Sequence, residues 1–138
     1  MIFQINFKSG KPVYLQLVDQ VKAAAASGAL QPGEALPSIR PLAEQLRVNR
    51  NTIAKAYGEL EAQGVIETAH GKGSVLRDTG GLPLRKEAKR RALTESVDEA
   101  VVQAHHLQVP RRELLDLVEE RYDALEQKRA RAALTGRT

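Results

Sequence analysis

The sequence predicts a mostly α chain of the α+β class, in which three short helices closed by a β-hairpin precede two longer helices. Three observations carry that prediction. Apolar residues recur at helical spacing in three separate runs before Gly64, and two short β runs flank a glycine-rich turn at 70–73. Beyond Pro83 two long helical patterns follow, separated near Val109 and Pro110. With 138 residues, the chain has room for one domain, or for one compact domain and an appendage.

Residues 1–11 read as an extended arm whose apolar residues are Ile2, Phe3, Ile5 and Phe7. Pro12 opens the first helix, where its missing N–H costs nothing. Tyr14, Leu17, Val18, Val21 and Ala25 then lie at helical spacing, and Gly28 supplies the stop. Gln-Pro-Gly-Glu at 31–34 is a turn by composition. Ser38 is the expected N-cap of a second helix running to about Leu46, with Ile39, Leu42, Ala43 and Leu46 as its buried stripe. Pro41 falls in the first turn, where its N–H would have been an orphan.

After Arg47-Val48, Asn49 caps a third helix that Gly64 ends, with Ile53, Ala56, Tyr57 and Leu60 facing inward. Gly58 inside this helix costs roughly 1 kcal/mol relative to Ala, for no reason visible in the sequence. Strands at 65–68 and 74–77 flank the turn His-Gly-Lys-Gly. The pattern is a winged helix-turn-helix unit over 1–77, followed by a linker at 78–83 that contains two glycines and a proline. Residues 84–138 form a two-helix tail. Its first helix carries Leu84, Ala88, Leu93, Val97, Ala100, Val101 and Ala104, and its second Leu114, Leu115, Val118, Tyr122 and Leu125. Two helices alone cannot bury two such stripes, because they lack a further layer. The tail either folds back on the first core or pairs with a second copy as a four-helix bundle, and the separating linker favours the pair. Leu93, Val97, Val101, Leu114, Val118, Tyr122 and Leu125 are then the dimerisation residues.

Composition removes several function classes. The absence of cysteine excludes disulfides and thiolate metal sites. No apolar run reaches membrane-spanning length and no export signal is evident, so a cytoplasmic protein with no membrane partner is expected. A net charge of +4 is compatible with a polyanion, but Lys+Arg exceeds Asp+Glu by nine to seven up to Leu82 and by twelve to ten after it. Each part is therefore +2, and bulk charge does not locate a binding face. Gly71-Lys72-Gly73-Ser74 is no phosphate loop, since a Gly follows the Lys, the preceding glycine is misplaced and the surroundings are strand-like. His105 and His106, with Glu99 and Glu113 nearby, make a poor metal site, because adjacent helical side chains point about 100° apart. No catalytic constellation, metal site or cofactor is expected, and the chain does not read as an enzyme.

The third helix explains more. In a helix-turn-helix the second helix enters the DNA major groove, N-terminal residues first. Its exposed first turn carries Arg50, Asn51 and Thr52, the side chains that guanine, adenine and phosphate accept. The helix N-terminus adds N–H groups and partial positive charge for a phosphate. Lys55 follows on the same side, and Arg40 can reach the flanking backbone. His70, Gly71 and Lys72 form a slim, cationic hairpin tip suited to a minor groove. Taken singly, Arg40 and Arg47 are ordinary solvated charges, Asn49 is a cap and the wing glycines serve the turn; the convergence of Arg40, Arg50, Asn51, Thr52, Lys55, His70, Gly71 and Lys72 on one side favours DNA.

The stretches "SGALQPGEALPSIR", "LAEQLRVNRNTIAKAY" and "ELEAQGVIETAHGKGS", within residues 12–76, closely resemble the N-terminal domain of GntR-family bacterial transcription regulators. The "NTIAKAY" variant with a short two-helix tail resembles the YtrA-like subfamily. The resemblance implies DNA contacts at Arg40, Arg50, Asn51 and Thr52, with His70 and Gly71 at the wing tip and Lys55 near the contacting positions. Pro41 and Gly58 depart from the usual pattern without touching a contact. It also implies a dimerising tail rather than a large effector domain, and hence a homodimeric repressor on a palindromic double-stranded operator. Any small-molecule effector would bind at the dimer interface or between tail and reading head. The competing class is a protein-interaction adaptor reusing the same face, against which Arg40, Arg50, Lys55 and Lys72 speak.

Overall fold

The computed structural model describes residues 2–78 and 86–135. Its elements are α1 (Val13–Ser27), α2 (Ile39–Leu46), α3 (Arg50–Ala62), β1 (Ile66–Ala69), β2 (Gly73–Leu76), α4 (Lys86–His106) and α5 (Arg111–Thr135). The chain divides into two compact units, one of residues 1–80 with 129–138 and one of residues 81–128. The expected linker lies, beyond Asp78, outside the described residues, as does Leu84.

In the first unit, α3 packs against both α1 and α2 and leads into β1. The core is aliphatic because the chain has no Trp and only two Phe. Leu17, Val18 and Val21 of α1 meet Leu42 and Ala43 of α2 and Ile53, Ala56, Tyr57 and Leu60 of α3, as their spacing predicts. Leu17, Ile53 and Leu60 have no exposed surface at all, and burying side chains of this kind stabilises by about 1.5–3 kcal/mol each. Ile39 departs from its expected burial and is 36% exposed. A helical Cβ leans toward the helix N-terminus, so the first residue of α2 projects past the packed turn. Ser38 occupies the N-cap of α2 without a side-chain capping bond. Pro41, at the third helical position, offers that hydroxyl no N–H, which leaves Arg40 at the second position as the one remaining donor.

α3 ends as its sequence predicts: Gly64 takes φ 75, its N–H reaches the Glu61 carbonyl (3.0 Å) and the Val65 N–H the Leu60 carbonyl (2.9 Å). This is a Schellman stop. Because Val65 is spent on it, β1 starts one residue later than its composition suggested. β1 and β2 pair antiparallel, with Ile66 opposite Leu76 and Ala69 opposite Gly73. The chain just after the turn at 31–34 adds an isolated bridge to the two-stranded sheet. Ala35 bridges Val75, the Leu36 N–H donates to the Ser74 carbonyl at 2.8 Å and the Leu76 N–H to the Glu34 carbonyl at 3.0 Å. β2 is therefore covered on both edges, and the wing is fixed to the chain that leads into α2.

The N-terminal arm is held by two glutamines one helical turn apart. Gln20 accepts from the Gln4 N–H (2.9 Å) and donates to its carbonyl. Gln16 does the same for Asn6, at 2.9 and 3.0 Å. Their side-chain amides stand in for a neighbouring strand, and Phe3 is buried in the core beneath. Ile2 and Phe7, which the composition grouped with it, are exposed. Alternation along the extended arm turns Ile2 to the face opposite Phe3, and Phe7 lies in the turn closed by the Ser9 N–H on the Asn6 carbonyl at 3.2 Å.

In the second unit, α4 runs into a turn in which Gln108 takes φ 57, while the Val109 N–H reaches back to the Ala104 carbonyl at 2.8 Å. Among the described residues of α4 only Ala104 is buried, and α5 buries none. Leu93 and Tyr122 are each 65% exposed, Val97, Val101, Val118 and Leu125 are exposed too, and Leu114 is half-buried. No helix among the described residues is long and apolar enough to cross a membrane.

The Tyr57 hydroxyl donates to the Pro37 carbonyl at 2.7 Å, tying α3 to the approach of α2. Burial pushes its pKa up from 10.0 to about 12. Between those values the unfolded chain has released the phenolic proton and the folded chain has kept it. Stability linked to Tyr57 is therefore present below pH 10 and lost as pH rises toward 12. The loss should amount to about 2–3 kcal/mol. Tyr57→Phe should remove that alkaline dependence while costing about 1 kcal/mol at neutral pH; denaturant titrations across this pH range check both.

Candidate nucleic-acid interface

The first turn of α3 is shaped by Asn49. Its side-chain oxygen accepts the Asn51 N–H at 2.7 Å, and its backbone carbonyl accepts the Thr52 N–H at 2.9 Å. Two of the N–H groups expected to face a phosphate are thus already satisfied, and the start of α3 presents side chains more than bare backbone. Arg50 and Asn51 are exposed there, while Thr52 is half-buried next to Ile53. One turn further, the Lys55 ammonium sits 4.2 Å from the centre of the Tyr14 ring. That cation–π contact is worth roughly 0.5–1 kcal/mol at an exposed site and tethers Lys55 to α1.

The turn between α2 and α3 is tight. Arg47 closes α2 in the left-handed region, with φ 57 and ψ 46, and its N–H reaches the Ala43 and Glu44 carbonyls. The Val48 N–H returns to the Ala43 carbonyl at 3.0 Å. An open cleft of about 670 Å³ lies across this turn, bringing Arg40, Arg47 and Arg50 together with Glu44 and Asn49. Arg40 and Arg50 were expected near one another. Arg47, taken singly an ordinary solvated charge, joins them; its left-handed helix end carries no sequence signal, which Gly or Asn would give.

The wing tip stands on the hairpin and does not line this cleft. His70, Gly71 and Lys72 are all exposed. The Lys72 N–H bonds the Ala69 carbonyl at 3.0 Å, and Gly71 and Gly73 take φ of 78 and 72. Those angles make glycine the fitting residue at both positions. An exposed Arg77–Glu67 pair at 4.0 Å joins the two strands at their base.

A larger concavity, about 1190 Å³, runs along one side of α4 past Arg90, Glu95, Asp98 and Val102. It is an open helix face of mixed charge, and the chemistry expected for polyanion binding lies instead on α2, α3 and the hairpin. His105 and His106 stand edge to face, with ring centres 6.2 Å apart. Among the described residues no group of three or more His, Cys, Asp or Glu is placed to hold a metal ion.

Residues 13–76 match the family model of bacterial regulatory proteins of the gntR family. The chain is 34% identical over 119 residues to the HTH-type transcriptional repressor YtrA of Bacillus subtilis (strain 168), spanning 86% of this chain and 91% of that protein. The crystal structure of a transcriptional antiterminator from Listeria monocytogenes EGD-e superposes with a TM-score of 0.77 at 35% identity, over 91% of this chain and 92% of its own. YtrA from Sulfolobus acidocaldarius, a GntR-family transcription factor, superposes with a TM-score of 0.56 at 33% identity, over 71% of this chain and 99% of its own.

Gly58 lies exposed on α3, and a Cβ added there would meet nothing within 4 Å. Nothing in the structure explains the glycine. Gly58→Ala should therefore stabilise the fold by about 0.5–1 kcal/mol, through the smaller entropy of the unfolded chain. A thermal or urea midpoint that does not rise would show a constraint at this position.

Proposed function

As this chain belongs to the GntR family of bacterial regulatory proteins and is a DNA-binding transcriptional regulator, we propose that it acts as a homodimeric repressor on an inverted-repeat operator. The observation that carries this reading is the exposed pair Arg50 and Asn51 at the start of α3, beside Arg40 in the cationic cleft. In the proposed complex α3 lies in the major groove. Arg50 reads guanine with two parallel N–H donors, and Asn51 pairs with adenine. Thr52 and Arg40 hold backbone phosphates, and the tip at His70, Gly71 and Lys72 follows the neighbouring minor groove. Lys55, tethered to Tyr14, contributes charge rather than base readout. Such a protein works in the cytoplasm, where its DNA is.

The exposed stripes of the tail support the dimer. Leu93, Val97 and Val101 follow one another at one-turn spacing on α4, as do Val118, Tyr122 and Leu125 on α5. An apolar face of this extent on a water-exposed helix pair fits burial against the same helices of a second copy, as a four-helix bundle with residues 84–138 as the dimerising part. Two reading heads related by a two-fold axis then require half-sites about one helical turn apart. The name of the B. subtilis relative supports repression as the direction of control.

Selection of bound fragments from genomic DNA by the purified protein tests the whole reading, and enrichment of a palindrome is the expected result. Recovery of no common sequence would sink it. On the selected operator, Arg50→Ala should cost roughly 1–3 kcal/mol and blunt discrimination against altered half-sites. Val101→Glu, which places a charge in the proposed bundle, should give a monomer in sedimentation and a far weaker operator complex.

A further inference from the structure

We infer that Arg47 is a further DNA-backbone contact, kept in a strained left-handed position because its guanidinium completes the cleft that Arg40 and Arg50 begin. The inference deepens the DNA-binding reading and rests on it. The backbone comes first. At φ 57 and ψ 46, a side chain crowds the following carbonyl, and glycine occupies such a helix end without that penalty. An arginine at this point makes the fold less stable than it need be. Strain of this kind persists where the residue does something the fold does not require.

The side chain shows what that is. Arg47 is exposed, so packing does not account for it. Among the described residues none of Arg40, Arg47 and Arg50 takes part in an ion pair. All three line one open cleft, in which Glu44 is the sole acid among the lining residues. Three guanidiniums against one carboxylate leave a local excess of about two positive charges, unneutralised within the chain and facing solvent. The cleft spans the turn immediately before α3, so with α3 in the major groove it faces the rim, where the phosphate backbone passes. Gln108, the other residue outside glycine with positive φ among the described residues, shows that the left-handed end alone assigns nothing. The assignment for Arg47 comes from the shared cationic cleft.

A phosphate contact made at a strained position predicts opposite effects on folding and on binding. Arg47→Gly should raise the thermal midpoint by roughly 2–4 °C. It should also weaken binding by about five- to tenfold near 0.1 M salt and lower the slope of log affinity against log salt by about one. The loss should be equal on the duplex that the wild-type protein selects and on an unrelated duplex of the same length, since phosphates carry no sequence. Arg47→Lys should bind within about twofold of wild type, because a point charge serves a phosphate. Unchanged affinity for Arg47→Gly, a loss confined to the selected duplex, or a lowered midpoint would each overturn the inference. A wild-type protein that binds neither duplex would overturn the DNA-binding reading itself, before Arg47 is tested.

Discussion

On the proposed reading one helix has to be core and recognition surface at once, and that constraint organises the first unit. α3 commits Ile53, Ala56, Tyr57 and Leu60 to the interior. The 3.6-residue period then leaves Arg50, Asn51 and Lys55 no choice but to face outward. The buried side is pinned by α1 and α2 and by the hydroxyl bond from Tyr57 to Pro37. Rotation of α3 about its axis would drag aliphatic groups into water, so the orientation of the exposed arginine and asparagine is secured by hydrophobic burial rather than by contacts of their own. Presentation of a recognition surface here is a by-product of packing.

The same logic says which parts were legible in the residues alone. Helix faces, the stop at Gly64 and the cap at Asn49 follow from local spacing and local hydrogen bonding, and all were readable. The misses share a different physical origin. Ser38 sits at the N-cap without a side-chain capping bond, Pro41 having removed one of its two available donors. The bridge at Ala35 exists only because β2 is near to receive it. Gln16 and Gln20 look like ordinary polar residues on a helix until the arm is laid beside them. Each depends on something distant in sequence, or on a competitor for the same hydrogen bond, and neither carries a periodic signal. Of the site, the side chains at the start of α3 were readable by type and exposure. Arg47 was not, because its left-handed backbone is a property of the turn and not of arginine.

In the second unit the balance is reversed. The apolar spacing of α4 and α5 was plain, yet the described helices leave nearly all of it in water. Periodicity announces that a face will be covered and is silent on what covers it. With the chain spanning nearly the whole of the B. subtilis YtrA relative, the tail belongs to the shared pattern as much as the reading head does. A small head with a modest core and an unsatisfied tail is coherent if assembly supplies part of its stability, which then depends on concentration.

The glycines of the wing tip bear on how regulators of this build can diverge. With φ of 78 at Gly71 and 72 at Gly73, a larger side chain at two of the tip positions carries a backbone cost. His70 and Lys72 vary there without it. On the proposed reading, new operator preferences enter through the hairpin by a narrow door, while α3, whose outward positions carry no such backbone restriction, is the element on which evolution has room to experiment.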